Sequence, residues 1–560
     1  MKAIKRISVI LMCVCLVLCS VCVTAFSETQ TGSITIESTS EVSIIGRTFH
    51  FYKIFNAEKA TSVGGEEIVS YQWDAETKAE CEKFFFGENG AEGKIPGKTS
   101  GTIHDVADYI RSLDGNNSAF SKFATDLYNY ILNNTVLKDK YEEVKATTST
   151  LVVDNLPLGY YMIYDATTLS DTNQVRSAVM LTTPGENKSI KIKADLPTIS
   201  KTVVGNDDVE QKGTSATIGD CVKFIIRTAI PDHSLYQSYT FSITDTMPSG
   251  LTFVENNDEH PFTVKANGTA LTKDTDYTFN YDSTNNKFTV ELLNVSKSYD
   301  NNDEIVIEYH TLVNDNAVKV NDNSVTLTYS SDPTDNTKLG TAESKASVYL
   351  YQLVLTKYAE HTDGAVSATR LAGAKFKLYE KGSNTAIKFR VVKETNADGK
   401  EFDVYYVDPD GTVEELSTID DTSYGASNTI NGGGFADLKI FGLCEGDYEL
   451  EETVAPDGYV VPNYRFQISI KDEIGKSSGV ITALNLTTTT VEAEGQTGGN
   501  IVNAGFSIAD QAIWASVTNA TGSALPETGG IGTTVFTVAG IILMAGALAF
   551  FTSRKRSSAA

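Results

Sequence analysis

Short runs in which apolar and polar residues alternate dominate the middle of this chain. Ser33-Ile34-Thr35-Ile36, Val222-Lys223-Phe224-Ile225-Ile226, Lys287-Phe288-Thr289-Val290 and Val325-Thr326-Leu327-Thr328-Tyr329 are rich in β-branched and aromatic residues, and Asn, Asp, Gly and Ser separate such runs. A period of two with turn residues between the runs predicts an all-β protein of tandem immunoglobulin-like sandwiches. The stretch 104–145 departs from that rhythm. His104 to Ile110 and Phe120 to Leu132 place apolar residues at helical spacing, so the first sandwich is expected to carry a helical insertion. Breaks near Asp195-Leu196-Pro197 and Ala346 to Tyr351 divide the chain into domains at 27–194, 195–348 and 349–520. A weak repeat relates the outer two, because Gly159-Tyr160-Tyr161-Met162-Ile163-Tyr164-Asp165 parallels Gly446-Asp447-Tyr448-Glu449-Leu450-Glu451-Glu452.

Near each end stands an apolar run without alternation. Lys2, Lys5 and Arg6 precede Ile7 to Val23, and Thr24-Ala25 follows. That order is an export signal over 1–26, with the mature chain starting near Phe26 or Ser27. Toward the other end, Ile531 to Phe551 is long enough, at roughly 1.5 Å per helical residue, to cross a bilayer's hydrocarbon core. Arg554-Lys555-Arg556 keeps its far side cytoplasmic. Leu525-Pro526-Glu527-Thr528-Gly529 stands immediately before this span, which makes 521–560 a membrane-directed unit of its own.

Charge and cysteine usage narrow the function. With 46 Lys+Arg against 72 Asp+Glu the net charge is −26, which repels nucleic acid and suits an exported, soluble ectodomain. Four of the seven cysteines lie in the export signal, and Cys81, Cys221 and Cys444 are too far apart in sequence to suggest a disulfide framework. An exported chain of this kind needs another source of mechanical strength. The six histidines are scattered, and neither a metal-ligand spacing, a phosphate loop nor a Ser/His/Asp or Cys/His set stands out. Neither an enzyme nor a bound cofactor or metal is expected.

The 349–520 segment contains Leu355-Thr356-Lys357, then Leu371-Ala372-Gly373-Ala374-Lys375-Phe376-Lys377-Leu378-Tyr379, then Glu452-Thr453-Val454-Ala455-Pro456-Asp457-Gly458-Tyr459, and ends at Val517-Thr518-Asn519. It resembles the CnaB-type domain of Gram-positive surface proteins. The resemblance implies a spontaneous isopeptide bond between Lys357 and Asn519, promoted by Glu452. Glu451 is a weaker acid, since strand alternation turns it to the other face. The segment 195–348 contains Leu196-Pro197-Thr198-Ile199-Ser200-Lys201, Tyr239 to Leu251 around Asp245, and Asn323-Ser324-Val325-Thr326-Leu327-Thr328-Tyr329-Ser330. It resembles the isopeptide-forming second (CnaA-like) domain of backbone pilins, which implies Lys201, Asp245 and Asn323 as a second triad, with Asn321 as the alternative amide. The family often carries Asn-Asn-Pro where this chain has Ser331-Asp332-Pro333. The repeat further suggests Asp165 and Lys53 as a third acid and amine. The physics fits such roles: burial lowers a Lys pKa and raises that of an acid, so a neutral amine can attack an amide that a neutral acid polarises.

Leu525 to Gly529, the apolar span and the basic tail together resemble a cell-wall sorting signal. The resemblance implies that a sortase cleaves between Thr528 and Gly529 and passes Thr528 to an amine. The resemblance to backbone pilins implies that in a fibre this amine belongs to a lysine at the end of the first domain. Lys188, Lys191 and Lys193 crowd that junction, and Lys193 is the first choice, with Lys191 as the alternative. The expected function is the structural backbone subunit of a covalent, wall-anchored pilus that supports adhesion and colonisation. Its expected partners are pilus-specific and housekeeping sortases, identical subunits, accessory pilins, peptidoglycan and a host surface or matrix ligand. The competing reading is a monomeric wall-anchored adhesin.

Overall fold

The computed structural model describes residues 30–61, 67–113, 118–170, 174–184, 188–360, 366–395, 399, 401–419, 437–489, 498–522 and 531–557. The export signal and Leu525–Gly529 lie outside them. The chain forms two compact units, one of Met1–Leu350 with Ile474–Ile481 and one of Tyr351–Glu473 with Thr482–Ala560.

The first unit opens with two sheets. The strand Thr48–Thr61 pairs antiparallel with Glu67–Trp73, Glu142–Lys145 and Gly159–Asp165, and a smaller sheet joins Thr150–Pro157, Thr31–Glu37 and Ser189–Lys191. Helices cover the larger sheet. Thr102 and Asp105 form a reciprocal capping box at the start of Ile103–Ser112, which satisfies amide groups that a helix N-terminus leaves unpaired. Ser118–Asn133 follows. Phe84, Phe85, Phe123, Leu127 and Ile131 bury against Tyr52, Phe55 and Met162, each large side chain contributing about 1.5–3 kcal/mol. Two features differ from the sequence expectation. Lys78–Phe86 is a further helix, lying before the helical stretch expected at 104–145, and Glu142–Lys145 is a strand rather than the tail of that stretch.

Two further sheets of the first unit face each other across a second core. One contains Ile199–Val204, Cys221–Ala229 and Glu304–Val313, and the other contains Leu339–Tyr349, Val320–Ser330, Phe241–Thr246 and Lys287–Leu292. Inward positions alternate as the pleat requires, with Phe241, Ile243 and Asp245 buried along one strand.

In the second unit, Tyr351–Glu360 lies at the centre of a sheet, antiparallel to Leu438–Leu443 and parallel to Ala512–Asn519. The facing sheet includes Lys375–Glu380, Gly446–Val454 and Phe466–Ile474. Ile531–Ser557 is a 27-residue helix whose apolar window, Val535–Thr552, is exposed and long enough to cross a membrane.

Candidate functional site

Among the described residues, a lysine, an acid and an asparagine lie buried together in each of two sandwiches. In the second unit, Lys357 stands opposite Val517 on a parallel neighbouring strand, and Asn519 lies two residues further along. The pleat therefore puts Lys357 and Asn519 on one face. Glu452 reaches that face from the opposite sheet, as the third inward position after Tyr448 and Leu450. Lys357 Nζ donates to Glu452 Oε2 at 3.0 Å, and Asn519 Nδ2 donates to the same oxygen at 2.8 Å. Asn519 Nδ2 also reaches Val460 O at 2.8 Å. Gly458, at φ 87°, makes the left-handed turn that brings Val460 round. Glu451 turns away, its carboxylate 3.4 Å from Arg465 Nε.

In the first unit the pieces are distributed differently. Asp245 lies opposite Val325 on antiparallel strands of one sheet, so Asn323, two residues before Val325, shares its inward face. Lys201 comes from the facing sheet, and its Nζ bonds to Asp245 Oδ2. Tyr309 Oη donates to Asp245 Oδ2 at 2.9 Å and accepts from Asn323 Nδ2 at 2.8 Å. Sequence reasoning missed this tyrosine; its inward place between Ile307 and Thr311 on a central strand was the available signal. Lys201, Asp245, Tyr309 and Asn323 are each 0% exposed. Asn321 is equally buried, but its amide is spent on Val318 N, Val318 O and Val348 O.

The electrostatics of the clusters match. Burial pulls Lys357 and Lys201 each down to about 8, against the pull of the neighbouring acid. Burial pushes Glu452 and Asp245 up. Low-dielectric surroundings thus favour an uncharged amine beside an uncharged acid. Aromatic rings line both sites, with Lys357 Nζ 5.5 Å from the Phe376 centroid and Lys201 Nζ 5.2 Å from that of Phe224. Each cluster also holds one carboxyl oxygen and one amide oxygen that are buried without a hydrogen-bond partner: Glu452 Oε1 with Asn519 Oδ1, and Asp245 Oδ1 with Asn323 Oδ1. A proton on the acid supplies the donor such oxygens lack.

A pH dependence follows for any chain in which the Lys357 amine survives, such as Asn519→Ala. The folded pKa of about 8 lies below the ordinary 10.5, so the unfolded chain binds more protons between these values. Stability of the second unit then rises as pH increases through that window. Thermal melts of the variant at pH 7.5 and 10 check this, and a midpoint that is flat or falls contradicts it.

The third pairing expected from sequence is not formed. Asp165 lies opposite Phe49 and Lys53 opposite Tyr161, four residues along the strand and so about 13 Å apart. Asp165 instead pairs with Arg47 at 2.5 Å, and Lys53 with Asp74 at 3.6 Å.

Lys191 is exposed at the end of the strand Ser189–Lys191. Lys193 is partly buried, which lowers its pKa. Both line a cleft of about 450 Å³ with Thr39, Asp195, Asp232 and Tyr236.

Three domain families match separate stretches. Residues 218–333 match the Gram-positive pilin backbone subunit 2, Cna-B-like domain, which includes Asp245 and Asn323. Residues 361–482 match the SpaA prealbumin-like fold domain, which includes Glu452. Residues 518–558 match the LPXTG cell wall anchor motif. The trypsin-resistant surface T6 protein of Streptococcus pyogenes serotype M6 is 28% identical over 230 residues, which span 37% of this chain and 40% of that protein's length. The solved T6 backbone pilin of serotype M6 Streptococcus pyogenes superposes with a TM-score of 0.50 at 17% identity, over 89% of this chain and 100% of that one. For the major pilin SpaD of Corynebacterium diphtheriae the figures are 0.42 and 17%, over 88% and 98%. In chain order, then, this protein carries a stretch matching a Gram-positive pilin backbone domain, one matching a prealbumin-like domain and one matching an LPXTG cell wall anchor motif, on a fold similar to that of a solved backbone pilin.

Proposed function

We propose that this chain is the shaft subunit of a covalent surface pilus, polymerised through Thr528 onto Lys193 of the next copy and stiffened by Lys357–Asn519 and Lys201–Asn323 amide bonds. The observation that carries the reading is the paired burial of a lysine, an acid and an asparagine in both sandwiches, upstream of an LPETG motif. In each sandwich the neutral amine attacks the asparagine Cγ. The acid holds a proton toward the carbonyl oxygen, takes one from the attacking nitrogen and returns one to the departing Nδ2. A C–N bond forms, a C–N bond breaks and ammonia leaves. Prior positioning by the folded core supplies the proximity, worth about 7–11 kcal/mol of the barrier.

The same logic joins subunits. A pilus-specific sortase holds Thr528 as a thioester after releasing Gly529, and the Lys193 amine resolves it. A housekeeping sortase passes the last subunit to peptidoglycan. Accessory pilins and a host surface or matrix ligand complete the set of partners, and the chain acts as a scaffold rather than as an enzyme. Tryptic digestion of fibres released from the wall tests the polymer linkage. The expected product is a branched peptide in which the Thr528 carboxyl is joined to Lys193 Nζ. Fibres in which Thr528 is joined only to peptidoglycan would leave the monomeric adhesin as the better reading.

A further inference from the structure

Lys193 does not follow directly from its strand. The ladder Ser189–Lys191 ends two residues earlier, and Ile192 N still reaches Glu37 O. What holds the Lys193 backbone is a separate segment, Arg176-Ser177-Ala178. Lys193 N donates to Ser177 Oγ at 3.0 Å, and Ala178 N donates to Lys193 O at 2.9 Å. Both peptide groups of the lysine are therefore fixed by residues about fifteen positions away in sequence.

That segment is itself held from two sides. On the first-domain side Ser177 is fully buried, and its N–H donates to Asp165 Oδ2 at 3.3 Å. Asp165 is fixed in turn by Arg47 and by the Thr167 hydroxyl at 2.5 Å. On the second-domain side Arg176 N donates to Ser331 O at 2.7 Å, and Arg176 Nε donates to Asp332 Oδ2 at 2.6 Å. The side chains of that pair are 12% and 5% exposed. Arg176 also lies 5.1 Å from the Tyr164 centroid, and its guanidinium reaches Asp165 O. Arg176 thus ties residues of the first and second sandwiches into one small network.

We propose that Arg176–Ala178 is a positioning cradle for the acceptor lysine, and that Asp332 makes acceptor competence depend on the second sandwich being folded against the first. The idea rests on Lys193 being the acceptor, as proposed above. A subunit whose second domain is not in place loses the Asp332 and Ser331 anchors. The cradle then slackens and Lys193 is presented poorly, so that unfinished subunits are left out of the shaft. The residues of the cradle touch no reacting atom; they act through the backbone of Lys193.

The experiment compares Asp332→Ala, Ser177→Ala and Lys193→Ala in the full-length chain, expressed in its own cells. Two quantities are read, the first for all three variants and the second for the parent and the two variants that keep Lys193. One is the ladder of high-mass species in wall extracts. The other is the pH midpoint of amine acetylation at Lys193 in the unpolymerised full-length chain from sortase-deficient cells, followed by peptide mass spectrometry with a short lysine peptide as reference. With the cradle intact, Lys193 is expected to acetylate with a lower midpoint than the reference peptide, because it is partly buried. Asp332→Ala and Ser177→Ala are expected to move the Lys193 midpoint up toward that of the reference peptide and to cut polymer at least about 10-fold, since small displacements of a reacting group cost that much. The melting midpoint of the second sandwich should stay put in Ser177→Ala, which leaves that domain untouched; this variant decides the matter if Asp332→Ala folds badly. A normal ladder and an unmoved Lys193 midpoint in both variants, with the ladder lost in Lys193→Ala, would overturn the cradle alone. A normal ladder in Lys193→Ala would overturn the acceptor assignment and the cradle with it.

Discussion

A Glu452→Ala chain is expected to be secreted without its Lys357–Asn519 bond. After allowance for the substitution it should weigh about 17 Da more than the parent, the one ammonia retained when that amide does not form. The reason is specific to the site. Glu452 Oε2 is the common acceptor of the Lys357 amine and the Asn519 amide, and the acid comes from the opposite sheet; among the described residues no other carboxyl is hydrogen-bonded to that amine or that amide. Without it the amine keeps its burial but loses both its proton acceptor and the group that polarises the amide. The stability effect should be large. A cross-link between residues 357 and 519 closes a loop of well over a hundred residues, which by the chain-entropy argument is worth about 5 kcal/mol. For a domain of this size that corresponds to a fall in melting midpoint of about 10–20 °C. Asn519→Ala should show the same loss while keeping the Lys357–Glu452 hydrogen bond, which separates the bond from the acid. Intact-mass measurement and calorimetry on the secreted ectodomain decide this; a Glu452→Ala protein with the parent's mass deficit and midpoint would remove Glu452 from the chemistry.

The second large effect is expected at Lys193. Lys193→Ala should abolish the high-mass ladder in wall extracts and leave a single wall-linked species, because attachment through Thr528 does not need that amine. Lys191→Ala should keep the ladder. Both lysines line the same cleft, yet their settings differ. Lys191 ends an edge strand in the open, whereas Lys193 has its backbone bonded on both sides and its amine partly desolvated. A lowered pKa leaves more of the amine neutral, and only the neutral form attacks a thioester. Immunoblots of wall extracts from the two strains are sufficient. A ladder that survives Lys193→Ala but not Lys191→Ala would transfer the role to Lys191.

Several features could be read without the fold because they are local. The inward acids declare themselves by alternation: Asp245 continues Phe241 and Ile243, and Glu452 continues Tyr448 and Leu450, so a carboxyl stands where the pleat demands an apolar residue. The sorting motif, the apolar span and the basic tail are likewise matters of adjacency and length. The β class follows from period two, and the amphipathic stretch after His104 follows from period 3.6.

The tertiary structure decided what depends on strand order and register. Asn321 and Asn323 are equivalent in sequence terms, being two apart on one face; the turn at Val318 and the Val348 carbonyl occupy the first, and Tyr309 from the facing sheet meets the second. The two clusters also assemble in different ways: Lys357 and Asn519 share a sheet and receive their acid from across the core, whereas Asp245 and Asn323 share a sheet and receive their lysine from across it. Asp165 has the sequence context of a third acid, but register puts it beside Arg47, where it helps to hold the segment on which Lys193 rests. Alternation tells which residues face inward; which inward residues meet is set by pairings between strands that are distant along the chain, and no local pattern encodes them.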